Sequence, residues 1–173
     1  MMVSCFQNTP PQTESATLKK DPLWPEGMKL IKTIDHEPNS FTQGLVFHGG
    51  YLFEGTGLTG ESEIKKIDIS SSQVIQRKKL SHHCIETTSG QCFGEGITIY
   101  DGKIYQLTWK GYKVYVYHQE NLELIRTHDL PQEAWGITHN GKELIISRGT
   151  WQISFHDPDS LEKKRTLVVQ GSS

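Results

Sequence analysis

Several features are scarce in this chain of 173 residues, and their scarcity limits what it can be. No apolar run approaches the roughly 20 residues that a membrane-spanning helix needs, so we expect no membrane span. The net charge is −2 and the Lys and Arg residues are scattered, which argues against a nucleic-acid partner. Cysteine is also rare, with three residues. The composition fits one soluble domain.

The N-terminal segment has little that would form a packed core. Met1–Lys20 is polar and rich in Pro, Ser and Thr, so we expect residues 1–27 to be a disordered lead-in to a domain at residues 28–173. No apolar core follows a basic start, so the segment is no signal peptide as written. An alternative is that Val3-Ser4-Cys5 is the tail of a shortened lipoprotein signal, which would favour an extracytoplasmic location (secreted, periplasmic or lipid-anchored).

Two of the cysteines bracket a short polar segment. Cys84 and Cys92 would close it as a disulfide in an oxidising compartment. A metal site that includes His82 and His83 is a second reading, but the spacing matches no standard zinc pattern. Two unpaired loop cysteines are the third. We expect no metal and no cofactor.

The informative feature that is present is an internal repeat. Gly44–Leu52, Gly96–Ile104 and, with one inserted residue, Gly136–Leu144 align with one another. Their anchor glycines are 52 and 40 residues apart. A period near forty, built from short strands and turns, is typical of the four-stranded blades of a β-propeller.

Each repeat is predicted to contain four strands separated by turn residues. They are Gly44–Phe47, Tyr51–Thr56, Glu63–Asp68 and Gln73–Lys79; then Gly96–Tyr100, Lys103–Thr108, Lys113–Tyr117 and Glu123–Thr127; then Gly136–His139, Glu143–Ser147, Gln152–His156 and Lys164–Val169.

A further strand is predicted ahead of the repeats. Lys29–Asp35 resembles Glu123–Asp129, the outermost strand of the second repeat. An N-terminal strand often completes the last blade of a propeller, yet a ring needs at least about four blades and this chain has three. We therefore expect an incomplete all-β propeller, the front part of a longer protein. An open three-blade solenoid is the competing architecture.

Equivalent positions of the repeats carry unusual chemistry. Gln43, Glu95 and Trp135 each precede an anchor glycine, and Trp109 ends the second strand of the middle repeat. In a propeller these positions meet at one mouth of the central channel. A carboxylate walled by aromatic side chains is a candidate general acid/base, because desolvation raises its pKa. The other reading is that the aromatic side chains only plug the channel.

Four motifs carry a family resemblance. Phe41-Thr42-Gln43-Gly44-Leu45, Phe93-Gly94-Glu95-Gly96, Gln106-Leu107-Thr108-Trp109-Lys110 and Ala134-Trp135-Gly136 resemble, in order and approximate spacing, the plant and bacterial glutaminyl cyclases (glutamine cyclotransferases). The resemblance implies a five-bladed propeller of which about three blades are present. It also implies conversion of the N-terminal Gln of a peptide or protein to pyroglutamate, with release of ammonia and without a catalytic metal.

The resemblance also implies roles for individual residues. Glu95 would be the general acid/base and Gln43 a substrate-binding residue, while Phe41, Phe93, Trp109 and Trp135 would wall the pocket. An assisting asparagine, a lysine and a further tryptophan come from the last two blades in the family, which this chain does not contain. The full-length protein would be a monomer.

Two departures from the family concern selectivity. The segment Ser81–Cys92 is longer than usual, and Arg148-Gly149 stands where relatives have an acidic residue before the glycine. The missing blades bear on activity itself. The alternative function is therefore a non-catalytic propeller fragment that acts as a binding or interaction module. A propeller lyase or lactonase is disfavoured, because such sites gather several metal ligands and only Glu95 is evident here.

Overall fold

The computed structural model describes residues 30–80 and 92–171. The chain divides into two units, Met1–Thr33 and Ile34–Ser173. In the first unit, the described residues 30–33 form no helix or strand. The second unit contains all twelve strands of the described part, and the structure there is entirely β. No helix long and apolar enough to cross a bilayer occurs among the described residues.

The strands form three antiparallel four-stranded sheets, each in chain order. Sheet 1 contains β1 (Thr42–His48), β2 (Tyr51–Thr56), β3 (Glu63–Asp68) and β4 (Gln73–Lys79). Sheet 2 contains β5 (Phe93–Tyr100), β6 (Lys103–Trp109), β7 (Lys113–His118) and β8 (Leu124–Asp129). Sheet 3 contains β9 (Gly136–His139), β10 (Leu144–Ser147), β11 (Gln152–His156) and β12 (Lys163–Val168). The three repeats and their four strands each are thus confirmed, with ends that differ by a few residues at most.

The strand predicted over Lys29–Asp35 is wrong for its described part. Residues 30–35 belong to no strand, and Lys29 lies outside the described residues. A β-strand is stable only when a neighbouring strand pairs with its backbone groups. Each of the three sheets is already made of its own four strands, and none of them pairs with this segment.

Two hydrophobic cores hold the sheets side by side. Between sheets 1 and 2, Phe53 and Ile64 pack with Ile97, Ile104 and Tyr117. Between sheets 2 and 3, the core consists mainly of Tyr105, Leu107, Val114, Val116, Leu144 and Ile146. Alternate residues of β6 therefore serve opposite cores, Ile104 on one side and Tyr105 and Leu107 on the other. This is the period-two burial of a sheet covered on both faces.

The anchor glycines allow the innermost strands to approach one another closely. A side chain at Gly44 would overlap the backbone nitrogen of Ile97. A Cβ at Gly96 would lie 2.6 Å from the carbonyl oxygen of Trp135, well inside a normal contact. The repeated glycine is therefore needed for contact between neighbouring sheets, and this contact brings the equivalent positions of the repeats together.

Sheet 1 also contains a buried cluster of charges on the face turned away from sheet 2. The Lys65 ammonium lies 2.7 Å from Glu37, 3.4 Å from Glu54 and 3.6 Å from Glu63, and only 2% of its side chain is exposed. Because a buried cation is tolerated only when it is paired, this cluster ties the segment that precedes β1 to β2 and β3.

Candidate active site

The predicted site residues lie where the innermost strands begin, and two of them interrupt the regular pairing. In sheet 1, Thr42 pairs with Thr56 and Gly44 with Gly55, so Gln43 has no partner in β2. In sheet 2 the register shifts between Gly94 and Ile97, around Glu95. Such β-bulges bend a strand and redirect the side chain at the bulge. The sequence pattern did not predict these bulges.

Glu95 has the most unusual electrostatic environment of the predicted residues. The residue as a whole is 9% exposed. Burial raises the pKa of Glu95 to about 7, and the negative charge of Glu133 contributes to the increase. At neutral pH both the protonated and the ionised carboxyl are therefore populated, as a residue that first accepts and then donates a proton requires.

Three of the predicted aromatic side chains form a continuous wall. The rings of Phe41 and Phe93 meet edge to face, with centroids 6.1 Å apart and an interplanar angle of 76°. Phe93 meets Trp109 in the same way at 5.7 Å and 78°. Gly57 leaves room for this wall, because a Cβ there would lie 2.5 Å from the Phe93 ring and 3.0 Å from Phe41. Phe41, Phe93 and Trp109 therefore act as one surface.

Trp135 is held separately, through its backbone and its ring. Its carbonyl oxygen accepts a hydrogen bond from the Gly96 N–H at 2.9 Å, and its own N–H donates to the Ser147 carbonyl at 3.0 Å. The indole lies directly against Gly149, whose φ is +66° and whose position leaves no space for a side chain. Since 45% of Trp135 is exposed, the ring is fixed in place but accessible to a ligand.

The structure thus brings Gln43, Glu95 and Trp135 onto the starts of three neighbouring innermost strands. Two further side chains were missed by the sequence analysis. The Lys110 ammonium lies over the Trp109 ring, 4.1 Å from its centroid. The half-buried Glu133 carries the charge that acts on Glu95. The only signal for Glu133 in the sequence is its acidic side chain two positions before Trp135.

Cys92 is disulfide-bonded and almost fully buried immediately before Phe93. Its sulfur lies 3.6 Å from the Tyr115 hydroxyl. The expected partner Cys84 lies outside the described residues, as do His82 and His83, so the Cys84–Cys92 pairing remains a prediction. Within residues 30–80 and 92–171, no group of three or more His, Cys, Asp or Glu side chains is arranged to hold a metal ion.

Arg148, one of the departures noted above, is half-buried at the end of β10. Burial lowers the pKa of its guanidinium. Its Nε and Nη2 atoms have no hydrogen-bond partner among the described residues. Arg148 therefore differs from an exposed arginine in that its guanidinium is partly removed from water without a hydrogen-bond partner, in the described part of the chain, for two of its nitrogen atoms.

Solved structures show which class of fold this is. The Pan2 WD40 domain of Neurospora crassa superposes with a TM-score of 0.57 at 8% identity, over 73% of this chain and 36% of that chain. At such low identity the likeness shows the fold alone, that of a propeller protein. The glutaminyl cyclase of Myxococcus xanthus superposes with a TM-score of 0.70 at 29% identity, over 82% of this chain and 56% of that chain.

Sequence comparisons then identify the family. The family model for glutamine cyclotransferase matches residues 2–173. A glutaminyl-peptide cyclotransferase of Arabidopsis thaliana is 30% identical over 146 residues, which cover 83% of this chain and 43% of that protein. The chain belongs to the glutamine cyclotransferase family, as its motifs predicted. It spans less than half the length of this relative.

Proposed function

We propose that the chain is a portion of a glutaminyl-peptide cyclotransferase and carries its general acid/base. The substrate is a peptide or protein with an N-terminal Gln, which is converted to pyroglutamate with release of ammonia. The observation that carries this proposal is Glu95, a buried carboxyl with a pKa raised to about 7, in the same strand as Phe93 of the aromatic wall. Family membership supports the reaction class.

The chemistry is a ring closure within one residue. The α-amine nitrogen attacks the side-chain amide carbon, and a C–N bond forms. Glu95 accepts a proton from the attacking amine and donates it to the departing nitrogen, which leaves as ammonia. Because both reacting groups belong to the same residue, much of the acceleration comes from holding the side chain curled. Proton transfer by a positioned carboxyl contributes a factor of about 10²–10⁴.

The remaining predicted residues bind and shield the substrate. Phe41, Phe93 and Trp109 provide an apolar surface for the methylene groups of the Gln side chain and exclude water from the amide. Trp135 closes the site on the side of sheet 3. The Gln43 amide, at its bulge, binds the polar part of the substrate by hydrogen bonds.

A complete reaction also needs donors for the oxyanion of the tetrahedral intermediate. The family resemblance assigns assisting Asn and Lys residues to blades beyond this chain, and the chain spans 43% of its Arabidopsis relative. We therefore propose that turnover requires the longer protein. By itself the chain would act as the binding half of the site.

The test compares the longest native form of the protein with its Glu95→Gln variant. Cyclisation of a Gln-initiated peptide is followed as loss of ammonia by mass spectrometry. We expect a loss of about 10²–10⁴ in rate with the fold preserved. Glu120→Gln, which alters an exposed carboxyl in the turn before β8, is the matched control and should be fully active.

Three outcomes separate the readings. A selective loss in Glu95→Gln supports the acid/base role. Near-normal turnover by that variant would exclude the role. Binding of Gln-initiated peptides without any turnover by the native form would identify a binding module instead. The intact mass of the native protein should be measured first, because it establishes whether further blades are present.

A further inference from the structure

Glu133 has no role in the reaction as described so far. We propose that Glu133 is a substrate-binding residue of the same site and that it recognises the α-ammonium group of the peptide N-terminus before cyclisation. This inference rests on the proposed function, since it names the part of the same substrate that a second carboxylate would hold.

The backbone places Glu133 next to Glu95. The hydrogen bond from the Gly96 N–H to the Trp135 carbonyl joins β5 directly to the residues that lead into β9. Glu95 immediately precedes the donor, and Glu133 is two residues before the acceptor. Ala134, between Glu133 and Trp135, is fully buried, which anchors this stretch against sheet 2. The two carboxyl groups therefore belong to adjoining backbone segments at the same end of the sheets.

The charges at this position are unbalanced. Neither Glu95 nor Glu133 forms an ion pair with a Lys, Arg or His side chain within the described part of the chain, whereas buried Glu54 and half-buried Glu63 are both paired with Lys65. The negative charge of Glu133 reaches Glu95 and helps to raise the pKa of that group. Two neighbouring carboxyl groups without a cation form a site that attracts one.

The substrate brings a cation of suitable shape. A peptide α-amine has a pKa of roughly 7.7–8.0, so it is largely protonated at neutral pH, and its ammonium carries three hydrogen-bond donors. The exposed face of Trp135 adds a favourable surface for a cation. Carboxylate and indole together would orient the N-terminus toward the Gln side chain that lies along the aromatic wall.

The arrangement divides the work between the two carboxyl groups. Glu133 holds the ammonium, and the ionised Glu95 removes one of its protons, which leaves a neutral amine that attacks the amide carbon. The same proton then passes from Glu95 to the departing nitrogen. The C–N bond of the side-chain amide breaks and ammonia leaves, and the second proton of the attacking nitrogen then passes through Glu95 to that ammonia. One ammonium group thus enters on the substrate and one ammonium ion leaves, so protons and charge balance without a co-reactant.

The test separates recognition of the ammonium from turnover. The probe is a short peptide that begins with Asn, which would have to close a four-membered ring and therefore does not cyclise, together with its N-acetylated form. Binding to the whole protein is followed by tryptophan fluorescence. We expect Glu133→Gln to weaken binding of the free-amine peptide about tenfold and to leave binding of the acetylated peptide unchanged. Glu123→Gln, at an exposed carboxyl, should affect neither.

Several results would overturn the inference. Equal weakening for both peptides would mean that Glu133 only maintains the structure, and unchanged binding of both would mean that it has no part in recognition. Competition by Mg²⁺ or Ca²⁺ that depends on Glu133, with no preference for the free amine, would identify a metal site instead. If Glu133→Gln does not fold, competition with the native protein decides: ethylammonium must displace the free-amine peptide better than ethanol does.

Failure of this inference and failure of the proposed function are distinguishable. If the native protein cyclises Gln-initiated peptides and Glu133→Gln leaves KM unchanged, only the inference fails. If the free-amine preference depends on Glu133 but no cyclisation occurs, only the proposed catalytic function fails. An increase in KM about tenfold, with a smaller change in kcat, is the kinetic result we expect.

Discussion

The Gly96 N–H donates a hydrogen bond of 2.9 Å to the carbonyl oxygen of Trp135, and a Cβ at Gly96 would lie 2.6 Å from that same oxygen. This contact joins the strand that carries Glu95 to the residue that provides an aromatic ring on sheet 3. The position of Glu95, the proposed acid/base, relative to the Trp135 ring thus depends on this backbone contact, which only a glycine permits.

The first prediction concerns the pH dependence of cyclisation. Glu95 must be ionised to accept a proton, and burial, with the charge of Glu133, places its pKa at about 7. We expect kcat/KM to fall as the pH drops below this value, because the protonated fraction of Glu95 increases. A pH profile with several Gln-initiated peptides tests this. If the midpoint of the decrease in kcat/KM at low pH changed only with the pKa of each substrate amine, the assignment to Glu95 would be contradicted.

The second prediction concerns the effect of Glu95 on stability, which should decrease as the pH rises, whereas kcat/KM should decrease as the pH falls. The pKa of Glu95 is raised from 4.5 to about 7 in the folded state, so the folded protein retains a proton that the unfolded chain releases between these values. Stability is therefore fully present below the lower value and is lost as the pH rises through the higher one. Glu95→Gln removes this loss, and we expect it to stabilise the chain at high pH by roughly 1–3 kcal/mol.

Urea unfolding measures this effect without any requirement for activity. The difference between Glu95→Gln and the native chain should be near zero at about pH 4, should increase between about pH 4.5 and pH 7, and should stay constant above that range. Glu120→Gln, the exposed control, should show no such dependence. A difference that is the same at low and at high pH would show that the folded structure does not raise the pKa of Glu95.

A third prediction tests the contact between the Trp135 ring and Gly149. In Gly149→Ala the new Cβ would lie far too close to the Trp135 ring. We therefore expect the indole to be displaced and the affinity for a Gln-initiated peptide to fall. Gly141→Ala is the matched control, because Gly141 also has a positive φ, +86°, but has open space around it. Both variants share a backbone cost of roughly 1 kcal/mol. Only Gly149→Ala should change tryptophan fluorescence, and equal spectra for the two variants would argue against the contact.

A fourth prediction concerns the buried charges of sheet 1. Lys65→Met removes the lysine partner of the buried Glu54, and removing one partner of a buried ion pair costs about 3–5 kcal/mol. Glu37 and Glu63 keep their ion pairs with Arg77. Glu54 therefore accounts for most of this cost. Lys66→Met, one residue along the same strand, removes a cation that lies 4.4 Å from the centroid of the Tyr51 ring and 5.7 Å from that of Phe53. It should cost less than about 1 kcal/mol. Chemical unfolding compares the two variants, and similar losses would show that the cluster is not important for stability.

The fifth prediction concerns the cysteines. We expect Cys92 to be bonded to Cys84, a bridge that closes a short loop and contributes roughly 2–3 kcal/mol. Peptide mapping without reduction identifies the pair, and reduction should lower the melting temperature. A bridge from Cys92 to Cys5, the third cysteine, would instead tie the N-terminal segment to the start of β5.

The repeat pattern predicted all twelve strands of the described residues, but comparison with it also predicted one strand that does not form. In β5 and β6, the apolar residues Ile97 and Ile99 and then Tyr105 and Leu107 recur at every second position, and period-two burial against neighbouring sheets makes such a pattern visible in the sequence. Residues 30–35 resemble the sequence of β8, yet they form no strand. A pattern records which face of a segment suits burial, while pairing depends on an adjacent strand that the local sequence does not specify.

The sequence by itself determined the three four-stranded units, the glycines at which they meet and the residue types at the mouth, because these depend on local alternation, turn chemistry and a repeated backbone requirement. Only the tertiary structure decided how those residues act. The bulges at Gln43 and Glu95 arise from strand pairing within sheets 1 and 2, and Trp135 contacts Gly149 at one end of sheet 3. The charge of Glu133 acts on Glu95 from one sheet to the next. The pKa of a carboxyl depends on its burial and on nearby charges in space, and neither quantity can be read from its neighbours along the chain.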